Sequence, residues 1–273
     1  MKLQEKIGFI GGGKMAEALI KGIVQSGLAD SGQIMVVEPV SGRRQELEEA
    51  YCVSATANSE DTADCGIIIL AVKPQIMDAV LDGLNNFISE KHLVISIAAG
   101  ITISFIEERL SRGCRVVRVM PNTPALVLEG AAALSGGTRA TQEDLEVGDR
   151  IFSAVGQCVT MDEKYLDAVT GLSGSGPAYV FSFIEALVDG GVKVGLNRND
   201  AQLLAMQTLL GSVKLAMETG DHPAVLRAMV TSPGGTTIAG LHELEKAGFR
   251  AAVMNCVETA TNRSKELGKQ LKG

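Results

Sequence analysis

From Lys6 to about Thr160 the chain alternates short apolar, β-branched runs with amphipathic helical stretches: KIGFI then KMAEALIKGIV, QIMVV then GRRQELEEA, GIIILAV then IMDAVLDGL, HLVISIA then SFIEERL. Strands alternating with helices of this length form βαβ units, and continuous apolar runs belong to parallel strands covered on both faces. The alternation predicts a doubly wound α/β sheet. Three further runs, RVVRVM, GAAALSGG and GQCVTM, add strands at its far side, in an order that local pattern does not dictate. After Met161 the strand signals stop and long helical patterns take over, which puts a boundary near Asp162 and divides the chain into residues 1–162 and 163–273.

The helical half is rich in Ala, Gly and Ser and apolar around much of its girth, so its helices should pack on more than one side. Two arrangements satisfy this, a dimer with a helical interface or a bundle within one chain. With 273 residues and 46% hydrophobic content, either half can bury a core.

The net charge of −7 is spread without a basic stripe and gives no footprint for nucleic acid or an anionic membrane. The longest apolar run, Ile67 to Val72, is too short to cross a bilayer, and the first residues enter a strand without a cleavable signal pattern. The expected location is the cytoplasm. Five scattered cysteines without a CxxC pair fit reduced thiols, and His92, His222 and His242 have no metal-ligand spacing.

The first strand runs into Gly11-Gly12-Gly13-Lys14-Met15-Ala16, the G-x-G-x-x-A form of the dinucleotide fingerprint in its required strand-to-helix context. Gly11 makes the tight turn, Gly13 admits the pyrophosphate, and Ala16 lets the helix lie close to the sheet, with its N-terminus towards the phosphates. The N-terminal half is thus a Rossmann domain for a nicotinamide dinucleotide. Glu38 ends the second strand, where a carboxylate accepts ribose hydroxyls and repels a 2′-phosphate, which favours NAD(H). Arg43 and Arg44 follow within a turn and favour NADP(H) if they face the phosphate, so the two signals oppose each other.

Ala71-Val72-Lys73-Pro74-Gln75 leaves its strand at the carboxyl end, where ligands of doubly wound sheets bind. Lys73 is a positioning group or a proton donor there. Ser96 to Gly100 ends the next strand with small residues that leave room for a nicotinamide ring. In the helical half, Thr231-Ser232-Pro233-Gly234-Gly235-Thr236-Thr237 precedes a helix start. Its amides, the Ser232 hydroxyl and the helix dipole form either a carboxylate cradle or simply a capped turn. Thr170 to Pro177, TGLSGSGP, breaks a helical region with small residues, as close approach of a backbone or ligand requires. No histidine stands ready as proton donor for a forming alkoxide, whereas a cyclic imine already carries its proton on nitrogen.

GFIGGGKMAEAL, AVKPQ, SIAAGITI, MPNTPA (120–125), TGLSGSGPAYVF (170–181), DGGVKVGL (189–196) and VTSPGGTT (230–237) together make the chain resemble Δ1-pyrroline-5-carboxylate reductase over nearly its whole length. The last motif is the most specific of these. The resemblance implies reduction of pyrroline-5-carboxylate to proline with NADPH or NADH, and interlocked helical domains that dimerise and assemble into a decamer. By motif it puts Ile10, Gly11, Gly12, Gly13, Lys14 and Met15 at the pyrophosphate, and Glu38 and Asn58 at the adenosine ribose. Ala71, Val72, Lys73, Pro74, Ile97, Ala98 and Ala99 fall on the nicotinamide side. Glu163 falls at the cofactor and dimer cleft among the substrate ligands, Ser232, Gly235 and Thr236 hold the substrate carboxylate, and Thr237 is the catalytic residue at the imine nitrogen. Relatives often place a small polar residue where Glu38 stands. Two rivals remain: a β-hydroxyacid dehydrogenase, with Lys193 or Lys214 as its lysine, and a dinucleotide sensor without turnover.

Overall fold

The computed structural model describes residues 2–110 and 113–270. The chain forms two compact units, one of residues 1–175 and 258–273, the other of residues 176–257.

The first unit is built on strands β1 (Ile7–Ile10), β2 (Ile34–Val37), β3 (Ser54–Thr56), β4 (Ile67–Leu70), β5 (Leu93–Ser96), β6 (Arg115–Met120), β7 (Gly130–Gly136) and β8 (Gly156–Thr160), in the order β3-β2-β1-β4-β5-β6-β7-β8. β1, β4 and β5 are buried at every position, as strands covered on both faces must be. Pairing is parallel from β3 through β6, with Ile7 beside both Ile34 and Ile67. At the far side, where local pattern left the order open, β7 runs antiparallel to β6 (Val119 beside Leu134) and β8 then pairs parallel with β7. A short turn at Thr123–Val127 reverses the chain between β6 and β7, whereas every parallel pair needs a crossover. β3 carries no apolar run and escapes the sequence pattern; it is an edge strand that pairs only with β2.

Helices α1 (Lys14–Gln25), α2 (Ser41–Tyr51), α3 (Met77–Leu84), α4 (Ile103–Arg109), α5 (Gln142–Ser153) and α6 (Leu166–Val169) belong to this unit. Leu19, Ile20 and Ile23 of α1, Leu47 of α2, and Ile151 and Phe152 of α5 fill the core on one face of the sheet. Leu81 and Leu84 of α3 and Phe105 and Ile106 of α4 fill the other. The doubly wound sheet therefore turns its crevice outward where the order reverses, at the carboxyl ends of β1 and β4.

The second unit holds α7 (Gly176–Lys193), α8 (Arg198–Thr219), α9 (Pro223–Met229), α10 (Thr236–Lys246) and the start of α11 (Phe249–Gln270). The segment TGLSGSGP does not break the helix as expected: Thr170–Gly174 form a π-turn, closed by Ser175 N–H donating to the Thr170 carbonyl at 2.8 Å, and the chain continues into α7. Its small residues do serve a close approach, since a Cβ on Gly174 would lie 2.7 Å from the Met120 methyl.

Compactness draws the boundary at 175/176, beyond the expected 162/163, because residues after Asp162 are tied to the sheet. Glu163 pairs with Arg118 of β6, and Asp167 accepts a hydrogen bond from Ser264 of the returning α11.

Candidate active site

In the first unit the glycine loop has the geometry that an anion needs. Gly11 adopts φ +102°, and a Cβ there would stand 2.7 Å from the Ala71 carbonyl oxygen, so only glycine fits. Gly13 is the N-cap of α1 in extended conformation, without a side-chain cap and with open space where a Cβ would be. The first N–H groups of α1, from Lys14 and Met15 onward, thus lie at an uncapped helix start that a pyrophosphate fits. Ala16 is fully buried, which lets α1 close onto the sheet.

Glu38 turns inward: Oε2 accepts from the Gly12 amide and Oε1 from the Val40 amide, each at 3.0 Å. Its carboxylate braces the glycine loop. Arg43 is occupied as well, donating Nε to the Gly12 carbonyl at 2.7 Å and pairing with Glu17 at 2.6 Å and Glu46 at 2.9 Å. Burial works against ionisation of Glu17, but hydrogen bonds from Arg43 and Lys14 outweigh it and hold the carboxyl below its ordinary range. Arg44 donates Nη1 to the carbonyls of Glu38 and Pro39, at 2.7 and 2.9 Å, and so sits at the tip of β2. Asn58 caps the turn Ser59–Thr62 by accepting from the Glu60 amide. Ala57 and Ser59 on either side of it line a cavity of about 340 Å³ together with Gly11, Val37, Pro39 and Val72.

At the ends of β4 and β5, the Ala71 amide donates to Ile10 and the Ile97 amide to Leu70, at 2.9 and 3.2 Å, so the two loops splay from adjacent strands. Lys73 is exposed at the cap of the turn Pro74–Ile76. Ala98 is buried, Ala99 is exposed, and Gly100 turns the chain at φ +77°. A second cavity, of about 440 Å³, lies between Pro74, Ala99 and Gly100 on one side and Ser175, Arg263 and Leu267 on the other. The contribution of α11 to this wall carried no signal in the sequence, because it depends on a helix that returns from the second unit. Arg118 was missed for the same kind of reason: its partner Glu163 is 45 residues away. Glu163, expected among the substrate ligands, engages Oε1 with the Ile103 amide at 2.8 Å and with Arg118 Nη1 at 3.0 Å.

The second unit carries the other motif. Gly234 takes φ +69°, the Gly235 amide closes back on the Ser232 carbonyl at 3.2 Å, and the Ser232 hydroxyl lies against Gly235, where a Cβ would collide with it. Gly235 is the N-cap of α10 and no side chain caps that helix, so the amides of Thr236 and Thr237 begin a helix whose partner is not in the loop itself. Ser232 is exposed and Thr237 is half-buried. His222, by contrast, caps α9 by accepting from the Ala224 amide, and burial pushes the Cys158 thiol up to about 12 and the Cys114 thiol up to about 11, which makes them poor nucleophiles. Among the described residues no cluster of His, Cys, Asp or Glu could hold a metal, and no helix is long and apolar enough to cross a membrane.

Comparison with known proteins agrees with both halves. Residues 163–267 match the family model described as pyrroline-5-carboxylate reductase dimerisation, and residues 6–100 match that of NADP oxidoreductase, coenzyme F420-dependent. The pyrroline-5-carboxylate reductase of Methanosarcina acetivorans is 50% identical over 97% of this chain and 99% of its own length, and that of Arabidopsis thaliana is 47% identical over 96% and 95%. Among solved structures, the Coxiella burnetii pyrroline-5-carboxylate reductase superposes with a TM-score of 0.92 at 36% identity, covering 97% of this chain and 99% of that one. The Plasmodium falciparum pyrroline carboxylate reductase, solved with NADP bound, gives 0.88 at 35% identity over 98% and 100%. Glycine loop, uncapped SPGG helix start and full-length likeness converge, and the chain belongs to the pyrroline-5-carboxylate reductase family.

Proposed function

We propose that this protein reduces the cyclic imine of 1-pyrroline-5-carboxylate to L-proline, the last step of proline biosynthesis, using NADP(H) and to a lesser extent NAD(H). The observation that carries the reading is the uncapped start of α10 behind Ser232 and Gly235, a helix start open to an anion in a family named for reducing pyrroline-5-carboxylate. When bound, the reduced nicotinamide supplies the hydride that adds to the imine carbon. Ser232 and the Thr236 amide hold the carboxylate, joined by the Gly235 amide once it exchanges its 3.2 Å contact with the Ser232 carbonyl for the ligand. The Thr237 hydroxyl meets the imine nitrogen, so rate comes from proximity and orientation without a covalent intermediate.

In the first unit, the uncapped start of α1 holds the pyrophosphate through Ile10 to Met15, with Glu38 and Asn58 towards the adenosine ribose. Ala71 to Pro74 and Ile97 to Ala99 take the nicotinamide side, and Glu163 stands at the edge of the same cleft. Functionally the chain divides into a dinucleotide-binding segment, 1–162, and a substrate and dimerisation segment, 163–273. Dimers of the latter assemble further, up to a decamer. The acidic, unstriped surface supports a cytoplasmic enzyme that binds neither nucleic acid nor membrane.

The test is to mix the purified protein with pyrroline-5-carboxylate and follow NADPH and NADH absorbance in parallel. Rapid oxidation, faster with NADPH, is expected. No oxidation of either cofactor would sink the reading and favour a sensor, while turnover of a hydroxyacid instead would point to a β-hydroxyacid dehydrogenase.

A further inference from the structure

Arg118 is the buried cation that the reaction leaves unused. Its side chain is only 4% exposed, and a guanidinium taken out of water must be paired and hydrogen-bonded to persist there. Its carboxylate partner is Glu163, whose Oε1 also accepts from the Ile103 amide. Ile103 is the first residue of α4, and Thr102 before it caps the helix by accepting from the Phe105 amide at 3.2 Å. Glu163 and Thr102 together satisfy N–H groups that the helix itself leaves orphaned. Arg118 stands beside Ser96 in the β5–β6 register, and Ser96 is where the loop to α4 begins. The loop is thus held at its root by the sheet and at its end by the carboxylate. Its middle is held too, since a Cβ on Gly268 of α11 would come within 3.2 Å of the Gly100 carbonyl oxygen.

We infer that Arg118 is a positioning residue for the nicotinamide side of the dinucleotide site, acting through Glu163 and the Ile103 amide to hold the Ile97–Thr102 loop in its binding shape. The inference rests on the assignment of Ile97 to Ala99 to the nicotinamide side. It also gives Glu163 the task of setting this loop, because its Oε1 already receives two donors. A well-packed apolar side chain at position 118 could stabilise the sheet as well as an ion pair does, so the pair has value chiefly in the geometry that it specifies.

The experiment compares Glu163→Gln, Arg118→Met, Arg118→Lys and the double variant Glu163→Gln/Arg118→Met with the unmodified protein. The readouts are NADPH affinity by nucleotide fluorescence without substrate, hydrogen exchange at the Ile103 amide, and separate KM values for dinucleotide and imino acid. Loss of one charge-assisted hydrogen bond should weaken NADPH binding about tenfold in either single variant and speed exchange at Ile103. The double variant should be no weaker than the singles, since both remove one linkage, and Arg118→Lys should recover part of the affinity. The KM for the imino acid should not move. Glu163→Gln keeps the shape of the side chain and carries the test should Arg118→Met fold poorly. If Arg118→Met leaves NADPH binding intact while Glu163→Gln raises the KM for the imino acid, Glu163 is a substrate ligand and the inference is wrong. If the unmodified protein binds no dinucleotide, the cofactor assignment itself falls and takes the inference with it.

Discussion

The two units differ in how far one chain can finish them. In the first, the sheet is sealed on both faces and its large side chains, among them Phe9, Leu19 and Phe152, are wholly buried. In the second, the buried core amounts to Val188, Ala201 and Ala205, where α7 meets α8. The opposite side of α8 presents Leu203, Met206, Leu210, Val213 and Met217, spaced alternately by three and four residues and 43–71% exposed. That is the stripe of a helix made to lie against another helix. An intrachain bundle, one of the two arrangements open at the level of sequence, would have covered it. The match of residues 163–267 to a dimerisation family supports self-association of this helical unit, with the stripe as the surface to test.

The strongest way to break this contrast is Leu210→Glu. Fully burying a leucine contributes about 1.5–3 kcal/mol, and a symmetric contact loses that twice as well as burying an unpaired charge. Sedimentation should show a shift to monomer and the thermal midpoint should fall, whereas Val40→Glu on the exposed rim of the first unit should change neither. A Leu210→Glu protein that stays oligomeric would mean that the stripe faces solvent.

Within the first unit, Gly11→Ala should destabilise by about 3 kcal/mol, from the left-handed strain plus overpacking against the Ala71 carbonyl. Denaturant unfolding measures it, and oligomer size should survive. Thr237→Ala probes the second unit at a half-buried helix-start hydroxyl. One positioned hydrogen bond is worth about 0.5–1.5 kcal/mol, so kcat/KM should drop about two- to tenfold with dinucleotide affinity unchanged. Unaltered kcat/KM would remove the hydroxyl from the mechanism. The smallest effect is expected for Glu38→Ser: the Gly12 and Val40 amides lose their acceptor, and, on the proposed placement of Glu38 beside the adenosine ribose, the ratio of NADPH to NADH efficiency should rise severalfold. A ratio that does not move would remove Glu38 from the choice.

Much of the site was legible because it is built from consecutive residues. The strand, turn and helix around Gly11 to Ala16, the stop at Pro74 and the SPGG entry to α10 are short-range structures with their own steric signatures. Glu38 was located at the end of β2 by the same logic, but its side-chain direction was not, since that depends on the Gly12 amide 26 residues earlier. The TGLSGSGP segment misled for a related reason. Small residues signal close approach, and they do so equally for a break in a helix and for a helix that merely widens into a π-turn against Met120.

Local sequence by itself determined the doubly wound class, the glycine loop at the start of α1, a helix start after SPGG and the apolar excess of the helical half. Each follows from backbone sterics or hydrophobic periodicity within a few turns of chain. Tertiary structure alone decided the reversal of β7, the return of α11 to the first unit, and the linkage of Ile103, Glu163 and Arg118. These join residues tens of positions apart, and nothing in a local window tells which distant carboxylate will neutralise a buried arginine until the strands have chosen their neighbours.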